Sequence, residues 1–247
     1  AKYSIPCRKG PMEKDLQLKV LLSGHIHNRR ELMAKLSAGS ASPSDTDLLK
    51  ACWLRWGEDM AQHLVGDFAA VIRDEPRRLT YLIRNPLGVK PLYYRLHRGR
   101  LIHGFSIPEL HRREPLPLTK DMDWAAAYML GLSFTQDTSA YKEISKLPPG
   151  HWLLHEDGGR MTLRRYHVWR DDAPSADRRN PDWVDAYRAI LEESIRCRMD
   201  PENPMGTENS GGIDSAAITA YLAHFLGDPS RPGTVRPCFR RSGGHNR

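Results

Sequence analysis

The sequence has 247 residues, of which 40% are hydrophobic, and this is enough to bury one sizeable core or two smaller ones. No apolar run approaches the roughly eighteen residues that a transmembrane helix needs, and the first residues lack the apolar stretch of a signal peptide. We therefore predict a cytoplasmic protein with no membrane partner. The four cysteines show no C-x-x-C spacing, which favours reduced thiols over a zinc site or a disulfide framework.

The formal net charge of +7 arises mostly at the end of the chain. Five arginines follow Asp228, where the sequence has no acidic residue: Arg231, Arg236, Arg240, Arg241 and Arg247. Because most of the surplus charge lies in this segment, it does not describe a binding face. We expect no nucleic-acid partner.

Short apolar runs separated by turn residues precede residue 155, and they predict antiparallel hairpins. The runs are Leu18–Leu22, Phe68–Ile72, Leu79–Ile83, Leu92–Tyr94 and Leu101–His103. Between the first two, Ser44 or Asp45 is placed to cap a helix with one apolar stripe. The stripe consists of Leu48, Leu49, Cys52, Trp53 and Trp56. A shorter helix is predicted over Arg30–Leu36.

Residues 170–180 are charged, contain a proline and lack large apolar side chains, which is the composition of a linker between domains. The sequence therefore predicts a first domain over residues 1–169 and a second over 181–228. The second domain is expected to begin with a helix, because Asn180 can cap it and Pro181 suits its first position.

The last segment, residues 229–247, is predicted to be a disordered tail, and a shifted reading frame would account for it. It holds three prolines and five arginines, and only Val235, Cys238 and Phe239 could contribute appreciable apolar area. Burying these three side chains would contribute about 5 kcal/mol, whereas ordering the backbone costs roughly 1–2 kcal/mol per residue. Conformational entropy is expected to prevail.

The sharpest local motif is the hexapeptide Ser210-Gly211-Gly212-Ile213-Asp214-Ser215, which leads into an amphipathic helical segment. Two glycines let the backbone approach a pyrophosphate, the serine hydroxyls add donors, and free amides at a helix N-terminus favour an anion. Asp214 would serve as a Mg²⁺ ligand on a bound nucleotide. The motif therefore predicts ATP and Mg²⁺ as cofactors.

This hexapeptide resembles the S-G-G-x-D-S signature of ATP-pyrophosphatases. The resemblance implies that residues 210–215 bind the phosphates of ATP, and that a carboxylate or a carbonyl is activated as an adenylate with release of pyrophosphate. The preceding segment, Met205–Asn209, is more polar than a strand inside a parallel sheet usually is.

Four earlier segments resemble glutamine-dependent asparagine synthetases, in that family's order. Ser23–Leu32 is similar to N-G-E-I-Y-N-x-x-E-L, and Ser44–Asp47 to S-D-T-E. Asn85–Tyr94 resembles R-D-x-L-G-I-K-P-L-Y-Y, and Leu147–His151 resembles L-P-P-G-H. With the hexapeptide, the resemblance spans residues 20–226.

The resemblance implies an N-terminal nucleophile (Ntn) hydrolase fold for the first domain, with two antiparallel sheets between helix layers. It implies the incomplete start of an α/β nucleotide-binding domain for the second. The family releases ammonia from glutamine with an N-terminal cysteine that its own amine activates. The chain begins at Ala1, and Cys7 has no free amine. No catalytic cysteine is therefore predicted, and the chain is expected to be a fragment without glutaminase activity.

The resemblance assigns four positions to the glutamine pocket: Ser23, Gly24, His25 and Asp45. Gly24 and Asp45 match the family, whereas Ser23 replaces the asparagine of the oxyanion hole and His25 replaces the glutamate that binds the substrate's amino group. An imidazole cannot replace a carboxylate opposite an ammonium group. Support for glutamine as a ligand is therefore weak. A strand-end role stays open for His25, and a helix-cap role for Asp45.

Three functions fit these observations. The first is an asparagine synthetase, which adenylates aspartate or a related carboxylate and uses ammonia from glutamine. The second is a ligase that takes its amine from the substrate, as β-lactam synthetases and lasso-peptide macrolactam cyclases do. The third is a truncated, non-catalytic nucleotide-binding module, because only 37 residues follow Ser210. Oligomeric state does not follow from the sequence.

Overall fold

In the computed structural model, six stretches of the chain are described: residues 17–36, 43–132, 137–169, 182–199, 205–226 and 235–239. The chain divides into two compact units, residues 1–170 and residues 171–247. This division falls at the start of the segment that the composition predicts to be a linker, although residues 170–180 themselves lie outside the described residues. None of the described helices is long and apolar enough to cross a membrane.

The first unit is built mainly from antiparallel strands, and each of the five apolar runs in the sequence lies in or overlaps a strand. The strands are β1 (Leu18–Ile26), β2 (Gly66–Asp74), β3 (Leu79–Arg84), β4 (Tyr93–His97), β5 (Arg100–Gly104), β6 (Ser145–Lys146), β7 (His151–Glu156) and β8 (Met161–Arg165). The helices are α1 (Arg29–Leu36), α2 (Asp45–Trp56), a 3₁₀ helix (Gly57–Gln62), α3 (Ile107–Arg113) and α4 (Met122–Met129). The predicted hairpins and the two predicted helices are confirmed.

Two antiparallel sheets form the body of this unit. One has five strands in the order β1-β2-β3-β7-β8, and the other has three in the order β5-β4-β6. Side chains alternate between the two faces of a strand, so each sheet contributes to two clusters. One face of the five-stranded sheet packs against α1 and α2. The apolar cluster between this face and the two helices includes Leu32, Leu49, Cys52, Trp53, Phe68, Ile72, Tyr81 and Ile83.

The other face of the five-stranded sheet meets the three-stranded sheet. Val71, Leu82 and Leu153 lie in register across β2, β3 and β7, and they pack against Leu92 and Leu147. A third cluster lies between the three-stranded sheet and α3, and it includes Ile102, Leu110 and Ile144. The layers therefore run helix, sheet, sheet, helix, which is the predicted arrangement of antiparallel sheets between helix layers.

The start of α2 shows which of the two candidate residues caps the helix. Ser44 has an extended backbone, and its Oγ accepts a hydrogen bond from the backbone N–H of Asp47. Asp45 lies in the first turn, where its carboxylate makes other contacts. At the other end of the helix, buried Trp53 donates from Nε1 to Asp74 Oδ2 at 2.8 Å. The cap and this bond fix α2 against the sheet.

Six elements of the first unit are absent from the sequence prediction: the 3₁₀ helix, α3, α4, β6, β7 and β8. Helices α3 and α4 are short. Leu110 is the one buried residue of α3 and α4 buries none of its residues, so neither helix shows the stripe that marks a core helix. Strands β7 and β8 form a hairpin around Asp157-Gly158-Gly159. The Asp-Gly pair is a turn signal that could have indicated this hairpin.

The second unit contains α5 (Asp182–Arg196), β9 (Met205–Asn209), α6 (Ile213–Leu226) and β10 (Val235–Phe239). Helix α5 packs against α6, and the guanidinium of Arg196 lies 3.6 Å from the ring centre of Phe225. The helix predicted after the linker and the helix predicted after the hexapeptide are confirmed. Asn180 and Pro181, which the sequence predicts to start the first of these helices, lie outside the described residues.

The prediction of a disordered tail is wrong for residues 235–239. Strand β10 pairs in parallel with β9, with Val235 opposite Met205 and Phe239 opposite Asn209. Strand pairing uses backbone groups and does not require apolar side chains. Pro237 has no N–H to donate. Among the described strands β10 pairs with β9 alone, so one edge of β10 is unpaired, and proline is tolerated in an edge strand. The rest of residues 229–247 lies outside the described residues.

Candidate functional site

The glutamine-pocket positions lie around the end of β1, where it meets the start of β2. Gly24 has φ of +100°, and a side chain here would collide with the backbone carbonyl of Asp67. The family glycine is therefore required by geometry. Ser23 is half-buried opposite Ala69, and His25 is exposed opposite Asp67.

Asp45 is brought to the same end of β1 from the start of α2. Its carboxylate accepts a hydrogen bond from the backbone N–H of Ile26 at 3.0 Å, and it forms an ion pair with the guanidinium of Arg29. Arg29 also donates to the carbonyl of Pro43. Asp45 thus ties together β1, α1 and α2. A substrate ammonium group at this carboxylate would have to compete with a guanidinium that is already bound.

Two neighbouring residues position the chain around His25. His27 Nε2 lies 3.1 Å from Asp67 Oδ2, and both side chains are largely buried. Asn28 donates to the carbonyl of His63 at 2.9 Å and accepts from the N–H of Val65 at 3.0 Å. These contacts join β1 to the segment before β2. His27 is therefore a specific partner of Asp67 at this end of β1.

Arg84 organises the loop that follows β3. Its buried guanidinium donates to three backbone carbonyls, those of Gly88 (2.6 Å), Lys90 (2.8 Å) and Leu147 (2.8 Å). Burial lowers the pKa of Arg84. No ion pair joins Arg84 to a carboxylate among the described residues, so carbonyl oxygens alone stabilise its charge.

The segments Asn85–Tyr94 and Leu147–His151 are held together by these bonds and by Asn85. Asn85 is buried, its side chain accepts from the N–H of Val89, and its carbonyl accepts from Gly150. Gly88 has φ of +65°, and a Cβ there would lie 2.6 Å from Pro149. The matched motifs in this region therefore set turn geometry. The Lys90 side chain reaches to 3.1 Å from the position a Gly24 Cβ would occupy.

No described thiol is suited to act as a nucleophile at this end of the sheet. Cys52 is fully buried between α2 and the sheet, and burial raises its pKa to about 12. Cys7 lies outside the described residues. No group of three or more potential metal ligands occurs among the residues that the structure describes.

The hexapeptide of the second unit forms a tight turn from β9 into α6. Gly211 has φ of +85° and open space around it. Asn209 Oδ1 accepts from the N–H of Gly211 at 2.9 Å and from Ser215 Oγ at 3.2 Å. Ser210 and Ser215 are joined through their hydroxyls at 3.2 Å. Asn209 is a positioning residue that the sequence motif does not include.

The turn offers groups that could hold a polyphosphate and its metal. The first amides of α6 have no intrahelical partner and carry the positive end of the helix dipole. Residues 210–214 are exposed, with Ile213 85% exposed, so the backbone is accessible. The Asp214 carboxylate is exposed in the first turn and could bind Mg²⁺ held on a phosphate. The structure thus brings residues 210–215 together in one turn.

Two arginines near the glutamine-pocket positions make contacts that the sequence does not reveal. Arg29 follows β1 in a polar segment, and nothing there indicates that it pairs with a residue of α2. Arg84 ends the run Leu-Thr-Tyr-Leu-Ile-Arg, directly before Asn-Pro-Leu-Gly. A charged residue at the end of a buried strand and before a matched loop could have indicated a buried guanidinium.

Comparison with known proteins gives two family matches. The family model described as a glutamine amidotransferase domain matches residues 7–167. The model described as asparagine synthase matches residues 186–237. The second match extends into β10, which agrees with the strand found there.

Curated relatives resemble the chain over most of its length. Asparagine synthetase [glutamine-hydrolyzing] 3 of Bacillus subtilis is 29% identical over 218 residues, which is 86% of this chain and 35% of that protein. Putative asparagine synthetase [glutamine-hydrolyzing] 2 of Methanocaldococcus jannaschii is 26% identical, covering 83% of this chain and 40% of that protein. Amidase chry2 of Gibberella zeae is 27% identical, and the match covers 87% of this chain and 32% of that protein. The chain spans about a third of the length of these relatives.

Among solved structures, the glutamine phosphoribosylpyrophosphate amidotransferase of B. subtilis matches with a TM-score of 0.40 and 19% identity, over 82% of this chain and 43% of that one. This likeness is too distant to support any conclusion. The family assignment follows instead from the sequence match, which covers well over half of the chain. The chain belongs to the glutamine amidotransferase domain family.

Proposed function

We propose that this chain is part of an asparagine synthetase-like, ATP-dependent amide-forming ligase. In this proposal, residues 210–215 bind the phosphates of Mg²⁺-ATP, which adenylates a carboxylate substrate and releases pyrophosphate. The adenylate is then attacked by ammonia or by another amine. The turn from β9 into α6 is the observation on which the proposal depends.

The chemistry of this turn supports the proposal. Exposed amides at a helix N-terminus are suited to phosphate oxygens, and Gly211 and Gly212 leave no side chains in the way. Asp214 alone would repel a phosphate. It becomes favourable when Mg²⁺ lies between the two groups, and Ser210 and Ser215 can donate hydrogen bonds to the same phosphates. The carboxylate substrate is aspartate or a related acid.

A second candidate is a ligase of the same type that does not use glutamine. The specific observation is the ion pair between Asp45 and Arg29, together with an exposed His25 at the position of the family glutamate. The resemblance implies two carboxylates in the glutamine pocket. His25 replaces one of them, and the other, Asp45, is already paired with Arg29. The amine in this case would come from the acceptor substrate, as in β-lactam synthetases and macrolactam cyclases.

Binding of ATP at the turn can be tested by titrating the ¹⁵N-labelled chain with ATP in the presence and absence of Mg²⁺. We expect saturable shifts of the Gly211 and Gly212 amides. Asp214→Asn should weaken Mg²⁺-ATP binding by about tenfold, because the metal loses a ligand. It should not weaken metal-free binding. Glu193→Gln, which removes an exposed carboxylate from α5, is the matched control. Equal Mg²⁺-ATP affinity in wild type and Asp214→Asn would contradict the assigned role.

The second candidate can be tested by glutamine binding. The wild-type chain should show no saturable binding at millimolar glutamine and should release no ammonia above the blank. The double variant His25→Glu, Arg29→Ala restores two free carboxylates, and we expect it to gain glutamine affinity. Saturable binding by the wild type, or ammonia release that Cys7→Ala abolishes, would reject this candidate in favour of the glutamine-dependent one.

A further inference from the structure

An arginine-rich cleft lies at the end of the first unit away from the glutamine-pocket positions. In the space between the two sheets, the apolar row Val71–Leu82–Leu153 is followed by the polar row Arg73–Thr80–His155. This polar row opens into a cleft of about 630 Å³ beneath the turn between β4 and β5. We call it the arginine cleft, and it is lined by Arg73, Arg78, Arg98, Arg100, His103 and His155, with Thr80, Leu101 and Asp157 beside them.

Two histidines line the cleft with nitrogen atoms that lack partners. His155 is only 2% exposed, and its Nε2 has no hydrogen-bond partner among the described residues. His103 comes from the opposite sheet, and its Nδ1 is also buried without a partner in the described part of the chain. Buried polar atoms are normally satisfied, so two orphan nitrogens on facing walls indicate a missing polar ligand.

The arginines around these histidines are not all neutralised. Arg73 is held by Asp157 through two hydrogen bonds of 2.7 Å and by Glu75 through one of 2.9 Å, and Asp157 is the one carboxylate in the cleft wall. Arg78 lies 3.6 Å from the same carboxylate, and its side chain is 74% exposed. Arg100 is 3.8 Å from Glu114 and 78% exposed, and no ion pair joins Arg98 to a described carboxylate. The cleft therefore has a surplus of positive charge.

The lining restricts the class of ligand. Arginine side chains offer fork-shaped pairs of donors that match the oxygens of a phosphate group. The cleft wall has no Phe, Tyr or Trp side chain on which a base could stack, its two imidazoles are largely buried, and Leu101 is its one large apolar residue. We propose that the arginine cleft binds a compact phosphate-class anion, with His155 and His103 as donors inside the cleft and Arg78, Arg98 and Arg100 at its mouth.

This site is separate from the two described above. Arg73 and Thr80 lie at one end of β2 and β3, whereas Gly66 and Arg84 lie at the other end, beside the glutamine-pocket positions. The hexapeptide belongs to the second unit. The proposed anion site does not depend on the ligase function, and either proposal can fail without the other.

The test is a titration of the chain with pyrophosphate in buffer without Mg²⁺, observed through the ¹⁵N-labelled imidazoles, with His155 assigned by His155→Gln. The imidazole signals of His155 and His103 report on the cleft, whether or not pyrophosphate also binds at the hexapeptide. We expect saturable shifts of His155 and His103. Arg98→Gly should weaken binding by about tenfold, because it removes one charge-assisted contact. Glycine suits the φ of +49° at this position, so the variant should fold.

Arg112→Ala, which removes an exposed arginine outside the cleft, should leave the affinity unchanged. Orthophosphate and AMP distinguish a free anion from a phosphate on a nucleotide. AMP should bind no more tightly than orthophosphate, since there is no surface for the base, and pyrophosphate should bind more tightly than both. The proposal is overturned if the imidazoles do not shift, if Arg98→Gly binds as wild type does, or if citrate binds better than pyrophosphate.

Discussion

His103 shows how burial controls a single titratable group. It lies on β5, in the face that meets the five-stranded sheet. Burial, together with the nearby Arg113, lowers its pKa to about 4, and Glu109 acts in the opposite direction. The imidazole is therefore neutral in the folded protein throughout the range in which an ordinary histidine would gain a proton.

This pKa predicts a loss of stability in mild acid. Between pH 6.5 and pH 4 the unfolded chain binds a proton at His103 that the folded chain does not, so the free energy of unfolding falls as the pH falls. From pH 7 to pH 5 the contribution is about 2 kcal/mol. Urea unfolding at both pH values should show that His103→Gln removes this part of the decrease. His111→Gln, at an exposed position on α3, is the control. Identical decreases in wild type and His103→Gln would contradict the prediction.

At the level of elements, helix α2 connects the core to the end of β1. Its buried stripe packs on the five-stranded sheet, and its first turn supplies Asp45 to Ile26 and Arg29. The position of Asp45 depends on the helix starting at the correct residue. The cap is therefore relevant both to stability and to the geometry of the glutamine-pocket positions.

We expect Ser44→Ala to lower the free energy of unfolding by about 1 kcal/mol, because the N–H of Asp47 loses its acceptor. Ser44→Asn should recover most of this loss, since asparagine is also a good cap. Thr46→Ala removes a hydroxyl from the same turn without removing the cap, and it should cost less. Denaturant unfolding of the three variants tests this order. A larger loss for Thr46→Ala than for Ser44→Ala would show that the cap is not the important contact.

At the scale of the whole molecule, the two units differ in how much of their surface is buried. The first contains three apolar clusters, while in the second the described core consists of Ile195, Leu222 and their partly buried neighbours. Several apolar side chains of α5 are exposed: Trp183, Val184, Tyr187 and Ile190. Because this core is small, we expect the pairing of β10 with β9 to contribute a large part of the stability of the second unit, although β10 has only five residues.

Truncation after Asp228 should affect the second unit. Without β10, the backbone of β9 loses its parallel partner, and the amides of Met205–Asn209 should exchange more rapidly. The amides of β2 and β3 belong to the first unit and should keep their protection. Hydrogen exchange followed by mass spectrometry can compare the full chain with the truncated one. Unchanged exchange in β9 would show that β10 does not stabilise this strand.

The sequence by itself determined the features that depend on neighbouring residues. Apolar runs between turn residues predict five of the eight strands described in the first unit, Ser44 is among the two cap candidates, and the hexapeptide with its following stripe predicts a turn into a helix. The resemblance to the family also predicts that two antiparallel sheets lie between helix layers. These features follow from backbone preferences and short-range hydrogen bonds, which operate over a few residues and leave a local pattern.

Only the tertiary structure decided the partners of the charged groups. Asp45 meets Arg29, Arg84 reaches Leu147, and Arg73 meets Asp157, and none of these pairings has a local pattern in the sequence. The tail prediction is wrong at residues 235–239 for the same reason. It compared side-chain burial with backbone entropy inside the segment, and it did not include the hydrogen bonds that β9 supplies to β10 from about thirty residues away. Contacts between distant parts of the chain depend on how the sheets assemble, so they are not encoded in any single stretch of sequence.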